Sequence, residues 1–142
     1  MNTHAPMPLV YTAQSKLAFY CRDAVCEFVL RRGMVPLHPF RLFDYFLGDR
    51  VARDEIRRAN FNLVRRADAL WVFGGCLANG VLAEIAFAHQ EGTPMRFFSI
   101  ATRASEIVEL GPDDLSFEEE LLQGDLSVAD LHEVVRGERP LP

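Results

Sequence analysis

"ALWVFGGCLANGVLAEIAFAHQEGTPMRFFSI", residues 69–100, decides the fold of this 142-residue chain. It opens with an unbroken apolar run that stops at Gly74 and Gly75, which reads as a buried strand. "NGVLAEIAFAHQEG" then reads as a helix, apolar on nearly every side and ended by Gly92. "TPMRFFSI" reads as another strand. Strand, crossover helix and strand in about 30 residues make a βαβ unit. A strand without polar alternation belongs in a parallel sheet covered on both faces.

The same alternation continues outward. Upstream, "ARDEIRRANFNLVRRAD" (52–68) carries a helical stripe at Ala52, Ile56, Ala59, Leu63 and Ala67. "MVPLHPF" (34–40) reads as a short strand, "QSKLAFYCRDAVCEFVLRRG" (14–33) as one helix stopped by Gly33, and "PLVYTA" (8–13) as a buried strand. The aromatic "RLFDYFLGDR" (41–50) suits a lid or a short helix. Downstream, "EIVEL" (106–110) suits a short fifth strand. "SFEEELLQG" and "SVADLHEVVRG" suit two short helices, each opened by a Ser with an acid three residues on. The Asp130 version of that box is the weaker of the two.

The expected fold class is α/β: a Rossmann-like (flavodoxin-like) three-layer sandwich with a four- to five-stranded parallel sheet. The expected organisation is a flexible N-terminus over 1–7, an α/β domain over 8–110, and an acidic helical segment over 111–142 packed on that domain or on a neighbouring subunit. In such sheets ligands bind at the carboxyl ends of the strands. Here that edge comprises residues 12–16, 38–40, 74–80 and 99–103.

Composition narrows the function classes. Residues 1–100 carry a net charge of +3 and residues 101–142 one of −8, which argues against nucleic acid as a partner. No apolar run approaches the roughly 20 residues of a membrane helix, and no secretory signal is visible at the start. No membrane partner and a cytoplasmic location are therefore expected. Cys21, Cys26 and Cys76 have neither disulfide nor zinc spacing, and His4, His38, His89 and His132 are scattered. No metal and no cofactor are expected.

One residue breaks the apolar helix: Glu84, among Val81, Leu82, Ile85, Ala86, Phe87 and Ala88. No basic residue stands three or four positions away to pair with it. An acid in a pocket at the sheet's carboxyl edge has the profile of a functional site. Pairing with Arg57 or Arg65 from another helix explains it equally well.

Tyr11 on the first strand, "VPLH" closing the second, "NFNLVRRADALWV" leading into the third, and "GGCLANGVLAEIAFAHQEGTPM" together resemble the nucleoside 2-deoxyribosyltransferase superfamily. That superfamily includes deoxynucleoside 5′-monophosphate N-glycosidases. The resemblance covers roughly residues 8–99, and its most specific element is Gly80, Glu84 and Ala88 followed by Gly92 and Pro94. It implies cleavage or transfer of an N-glycosidic bond, on a nucleoside or a nucleoside 5′-monophosphate. Glu84 would be the nucleophile, ionised and so held down in pKa, with Tyr11 hydrogen-bonded to it. It also implies a homo-oligomer, with C-terminal segments contributing to a neighbour's site.

Two positions depart from the family. Asn60 stands where transferases carry an aspartate, and Ala78 where they carry Asp and monophosphate hydrolases carry Ser. An amide hydrogen-bonds a base or sugar but cannot shuttle a proton. The alternative function is therefore a catalytically weak or inactive nucleotide-binding sensor on the same fold. Ser15 and Lys16, at a helix start, are candidates for anion capture. Ser15 also suits an ordinary helix cap, with Lys16 simply solvated. His38 is a candidate base contact or a strand cap. Gly74, Gly75, Ala78, Asn79 and Gly80 complete the expected substrate-binding loop.

Overall fold

The computed structural model describes residues 4–43, 47 and 49–142. Its central sheet is built from β1 (Leu9–Gln14), β2 (Val35–Leu37), β3 (Ala69–Phe73), β5 (Met95–Phe98) and β6 (Glu109–Leu110), with β4 (Cys76–Leu77) standing outside it. The five strands lie in the order β2-β1-β3-β5-β6. The first four are parallel, and β6 closes the edge antiparallel to β5. This is the three-layer α/β architecture expected, with one strand reversed.

Period-two alternation sorts each strand between two cores. Val10, Trp71, Phe73 and Phe98 face α1 (Arg22–Arg31) and pack on Ala24, Val25 and Phe28. Phe28 meets Trp71, Phe73 and Phe98 edge-on, with ring centroids 5.0–6.3 Å apart. A short helix α2 (Pro39–Leu42) follows β2. Tyr11, Leu70, Val72 and Phe97 face the opposite layer, formed by α3 (Arg53–Arg66) and α4 (Asn79–Glu91). Tyr11 thus lies on the face that α4 covers.

The single helix expected over 14–33 is two elements. A 3₁₀ helix spans Lys16–Cys21, with non-helical angles at Ala18, and α1 begins only at Arg22. Local polar side chains compete with the α-helical ladder there. The Gln14 amide donates to the Ala18 carbonyl at 2.8 Å, and Ser15 Oγ accepts from the Leu17 N–H at 3.2 Å. Of the aromatic segment 41–50, residues 44–46 and 48 lie outside the described residues, as do 1–3 of the N-terminus.

The C-terminal chain contributes a strand where the sequence pattern suggests a helix cap. β7 (Ser116–Phe117) pairs in parallel with β4. The Ser116 N–H donates to the Gly75 carbonyl at 2.7 Å, and the Glu118 N–H to the Leu77 carbonyl at 2.9 Å. Ser116 is thereby unable to cap α5 (Glu119–Leu122), whose N-cap is Glu118 with no side-chain bond. The weaker box is the one that forms. Ser127 and Asp130 bond reciprocally at the start of α6 (Val128–Val135).

Leu131, Val134 and Val135 of α6 are buried in the same cluster as Leu82, Ile85 and Ala88 of α4. The ion pairs of this region are mostly local, Arg136 with Asp113 and Glu138, Arg139 with Asp130 and Glu133. Apolar burial rather than charge attraction holds the acidic segment down.

The clamp beyond α6 gives a testable contact. Gly137 has φ +76°, and a Cβ there would come within 2.7 Å of the His89 ring, which donates from Nε2 to the Val135 carbonyl at 2.8 Å. Gly33 has φ +79° but open space around it. Gly137→Ala is expected to cost about 2 kcal/mol in urea unfolding, from left-handed strain and a displaced ring. Gly33→Ala should cost only the strain, about 1 kcal/mol. Equal losses at the two sites would refute the clamp.

Candidate active site

The chain crosses from β1 to β2 on one side and returns past β1 to β3, so the winding reverses between β1 and β3. At their carboxyl ends lies a cleft of about 290 Å³, at the small end of ligand pockets, which run from about 300 to 1,000 Å³. Its walls come from the end of β1 (Gln14, Ser15, Lys16), the start of α2 (Pro39, Phe40), one face of α3 (Arg53, Ile56, Arg57, Asn60, Phe61), the start of α4 (Ala78 to Val81, and Glu84), and the C-terminal segment (Glu118, Glu120).

Glu84 borders this cleft and is only partly exposed. Behind it the fully buried Tyr11 donates its hydroxyl to Glu84 Oε2. β1 and α4 meet in one core, and the strand's alternation turns Tyr11 rather than Val10 or Thr12 toward it. Neither candidate arginine takes the carboxylate as an ion-pair partner. Arg65 pairs with Glu91 at 2.9 Å, and Arg57 lies 3.6 Å from Asp54.

The electrostatics run against the expectation that Glu84 is held ionised. Burial raises its pKa from 4.5 to about 7, and the opposing influences of the Tyr11 hydroxyl and of Arg57 offset only part of that rise. Near neutral pH the carboxyl is about half ionised. Tyr11 itself is pushed well above its ordinary value, first by burial and then by the neighbouring Glu84 charge. It stays a hydroxyl donor.

The other expected site residues separate into two groups. Asn60, Ala78, Asn79, Gly80, Ser15 and Lys16 line the cleft. Asn60 Oδ1 is buried with no hydrogen-bond donor facing it among the described residues, which is the profile of an acceptor awaiting a ligand. Asn79 does not cap its helix; Ala78 occupies the cap position and makes no side-chain bond.

Three expected contacts do not reach the cleft. His38 is 1% exposed, and its Nδ1 accepts from the Phe40 N–H at 3.3 Å as the cap of α2. With Nδ1 an acceptor, Nε2–H donates to Gln14 Oε1 at 2.8 Å. Burial and then Arg22 lower its pKa to about 4, so it is neutral. Its role in this geometry is to orient Gln14, which does line the cleft. Gly74 (φ +105°) and Gly75 turn the chain from β3 into β4 instead of facing a ligand, and Gly75 supplies a carbonyl to β7.

The Ser15 hydroxyl, expected as an anion contact, is engaged within the protein. The following helix is 3₁₀ and six residues long. Ser15 Oγ already accepts from Leu17 and donates to Glu118 Oε2 at 2.5 Å. Glu118 and Glu120 are not legible in the sequence as site residues. They arrive through the β4–β7 pairing, which joins Cys76 to Ser116 across a stretch of chain for which no local pattern exists. Gln14, Phe40 and Phe61 lie beside residues that the sequence does single out.

Among the described residues no group of three His, Cys, Asp or Glu side chains suits a metal ion, and no helix is long and apolar enough to cross a membrane. The three cysteines are free thiols.

A family described as "Domain of unknown function (DUF7768)" matches residues 11–98, well over half of the chain. A solved structure described as a 2-desoxiribosyltransferase from Leishmania mexicana superposes with a TM-score of 0.51 at 19% identity. The alignment covers 94% of this chain and 100% of that one. At that identity the likeness is one of fold. A comparison with curated proteins found no match.

Proposed function

The chain belongs to the DUF7768 family, and from its cleft we propose that it binds a nucleoside or nucleotide and cleaves or transfers its N-glycosidic bond through Glu84. One observation carries the reading. A carboxylate with no ion-pair partner among the described residues borders an open cleft at the sheet's switch point, with one oxygen held by a buried tyrosine. The fold likeness to a 2-desoxiribosyltransferase supports it.

In this reading Tyr11 holds Oε2, which leaves Oε1 as the attacking oxygen. Oε1 bonds to the sugar's anomeric carbon as the carbon–nitrogen bond breaks, and the bonding pair leaves with the base. The cation-like transition state at the sugar gains from the adjacent negative charge. The product is a sugar ester of Glu84. Water, or a second base, attacks the same carbon and returns the carboxylate. Asn60 has no acidic proton to give, so the departing base takes its proton from solvent. Asn60 Oδ1 instead accepts an N–H or O–H of the ligand.

A second reading, a binding protein without turnover, draws on Asn60 and Ala78, neither of which can transfer a proton, and on a Glu84 that is only half ionised at about pH 7. One assay separates the two. Ribo- and 2′-deoxyribonucleosides and their 5′-monophosphates are incubated with the protein and free base is measured. Base release supports the enzyme. Calorimetric binding with no base released supports the sensor, and no binding by any compound sinks both. The homo-oligomer stays part of the proposal, with the exposed Leu17 and Tyr20 of the 3₁₀ helix as apolar surface for a neighbour.

A further inference from the structure

Resting on the nucleoside reading above, we propose that Glu118 makes the cleft selective for an unphosphorylated sugar: its carboxylate accepts the sugar's primary hydroxyl and excludes a 5′-phosphate. The position of Glu118 comes from the backbone. Its N–H is bonded to the Leu77 carbonyl, so it stands beside Ala78 at the mouth of α4. Ala78 offers a ligand no side-chain bond. Glu118 fills that gap from a different part of the chain.

Glu84 and Glu118 border one cleft of about 290 Å³ that opens over the start of α4. One Glu118 oxygen is taken by the buried Ser15 hydroxyl at 2.5 Å. The other has no protein partner among the described residues. A free carboxylate oxygen accepts a hydroxyl well and repels a phosphate.

Two of the three bases that border the cleft are engaged by acids outside it. Glu120 and Glu84 share the cleft with Glu118, giving three acids. Lys16, Arg53 and Arg57 also border it but are exposed to solvent. Arg57 lies 3.6 Å from Asp54, and Arg53 is bonded to Asp49 at 3.2 Å. The Ser15 hydroxyl, the obvious phosphate donor, is spent on a carboxylate.

The test measures binding by calorimetry, with each nucleoside paired against its own 5′-monophosphate. Wild-type protein is expected to bind the nucleoside at least tenfold more tightly. Glu118→Gln keeps the size and the bond to Ser15 but removes the charge. It should bring the two affinities within about threefold, largely by gaining monophosphate. Raising the salt concentration should narrow the wild-type ratio, as an electrostatic barrier requires and a steric one does not. A wild-type preference for monophosphate, or one that Glu118→Gln leaves unchanged, overturns the selectivity and leaves the glycosidase reading standing. Binding of neither compound overturns both.

Discussion

Glu84→Gln is expected to abolish base release and, at pH 8, to make the protein more stable than the wild type. The activity loss follows from the chemistry, because an amide cannot form the glycosyl ester. At least a thousandfold decrease is expected, the scale on which removing a covalent nucleophile acts. The stability gain follows from linkage. Glu84 has its folded pKa raised from 4.5 to about 7. The native state therefore holds a proton that the unfolded chain has released between those two values. That stabilisation is complete below about pH 4.5 and is lost as pH rises through 7. At about 1.4 kcal/mol per pH unit the loss is about 3 kcal/mol. The substituted amide stays neutral throughout, and its carbonyl still accepts from the Tyr11 hydroxyl. At pH 8 the variant should melt about 10 °C higher, and near pH 4.5 the two should coincide. A variant that is inactive yet less stable than wild type at pH 8 would falsify the account of Glu84 as a costly buried charge kept for chemistry.

The second large effect is the pH profile of base release and its displacement in Tyr11→Phe. Attack needs the ionised carboxylate, so the wild-type rate should climb tenfold per pH unit up to about 7 and level off above it. At pH 5 it should be about one hundredth of the plateau. The Tyr11 hydroxyl favours the charged form of Glu84 and holds the midpoint where it is. A hydrogen bond to a charged group contributes about 1.5–3 kcal/mol, so its removal should move the midpoint up by at least about one pH unit. The plateau should also fall, because the attacking oxygen loses its alignment. Loss of a merely structural tyrosine would lower the rate at every pH without moving the midpoint. That pattern would remove Tyr11 from the site and leave Glu84 to be explained alone.

Both predictions concern a pair drawn from distant parts of the chain, and the two halves are legible to different degrees. Glu84 stands out because an acid among six apolar residues has no local partner, and that follows from helical periodicity alone. Tyr11 is legible through a family resemblance. Its contact with Glu84 depends on which face of β1 meets α4. His38 shows the limit of reading by position. A histidine at the end of a strand faces the edge where ligands bind, yet this one is turned inward by a capping bond to Phe40 and by the Gln14 amide. Gly74 and Gly75 suit a ligand loop because they follow a strand. They serve instead as a corner that carries the chain into β4.

Legible in the chain alone are the alternation of strands and helices, the two-sided burial of the central strands, and one acid with no local partner at the carboxyl edge. Those properties reside in near neighbours, in periods of two and 3.6 residues, and in the cost of burying charge. Long-range packing alone reverses β6, draws Ser116 into a strand instead of a helix cap, and sets Glu118 beside Ala78 with its carboxylate on Ser15. Each is a long-range pairing in which the local signal was overruled by a backbone hydrogen bond or an apolar contact made elsewhere. A capping box or a helix start contributes about 1 kcal/mol, and burying one apolar side chain of α6 against α4 contributes about twice that. The tail therefore takes the path that buries its apolar residues, and two acids enter the cleft along with it.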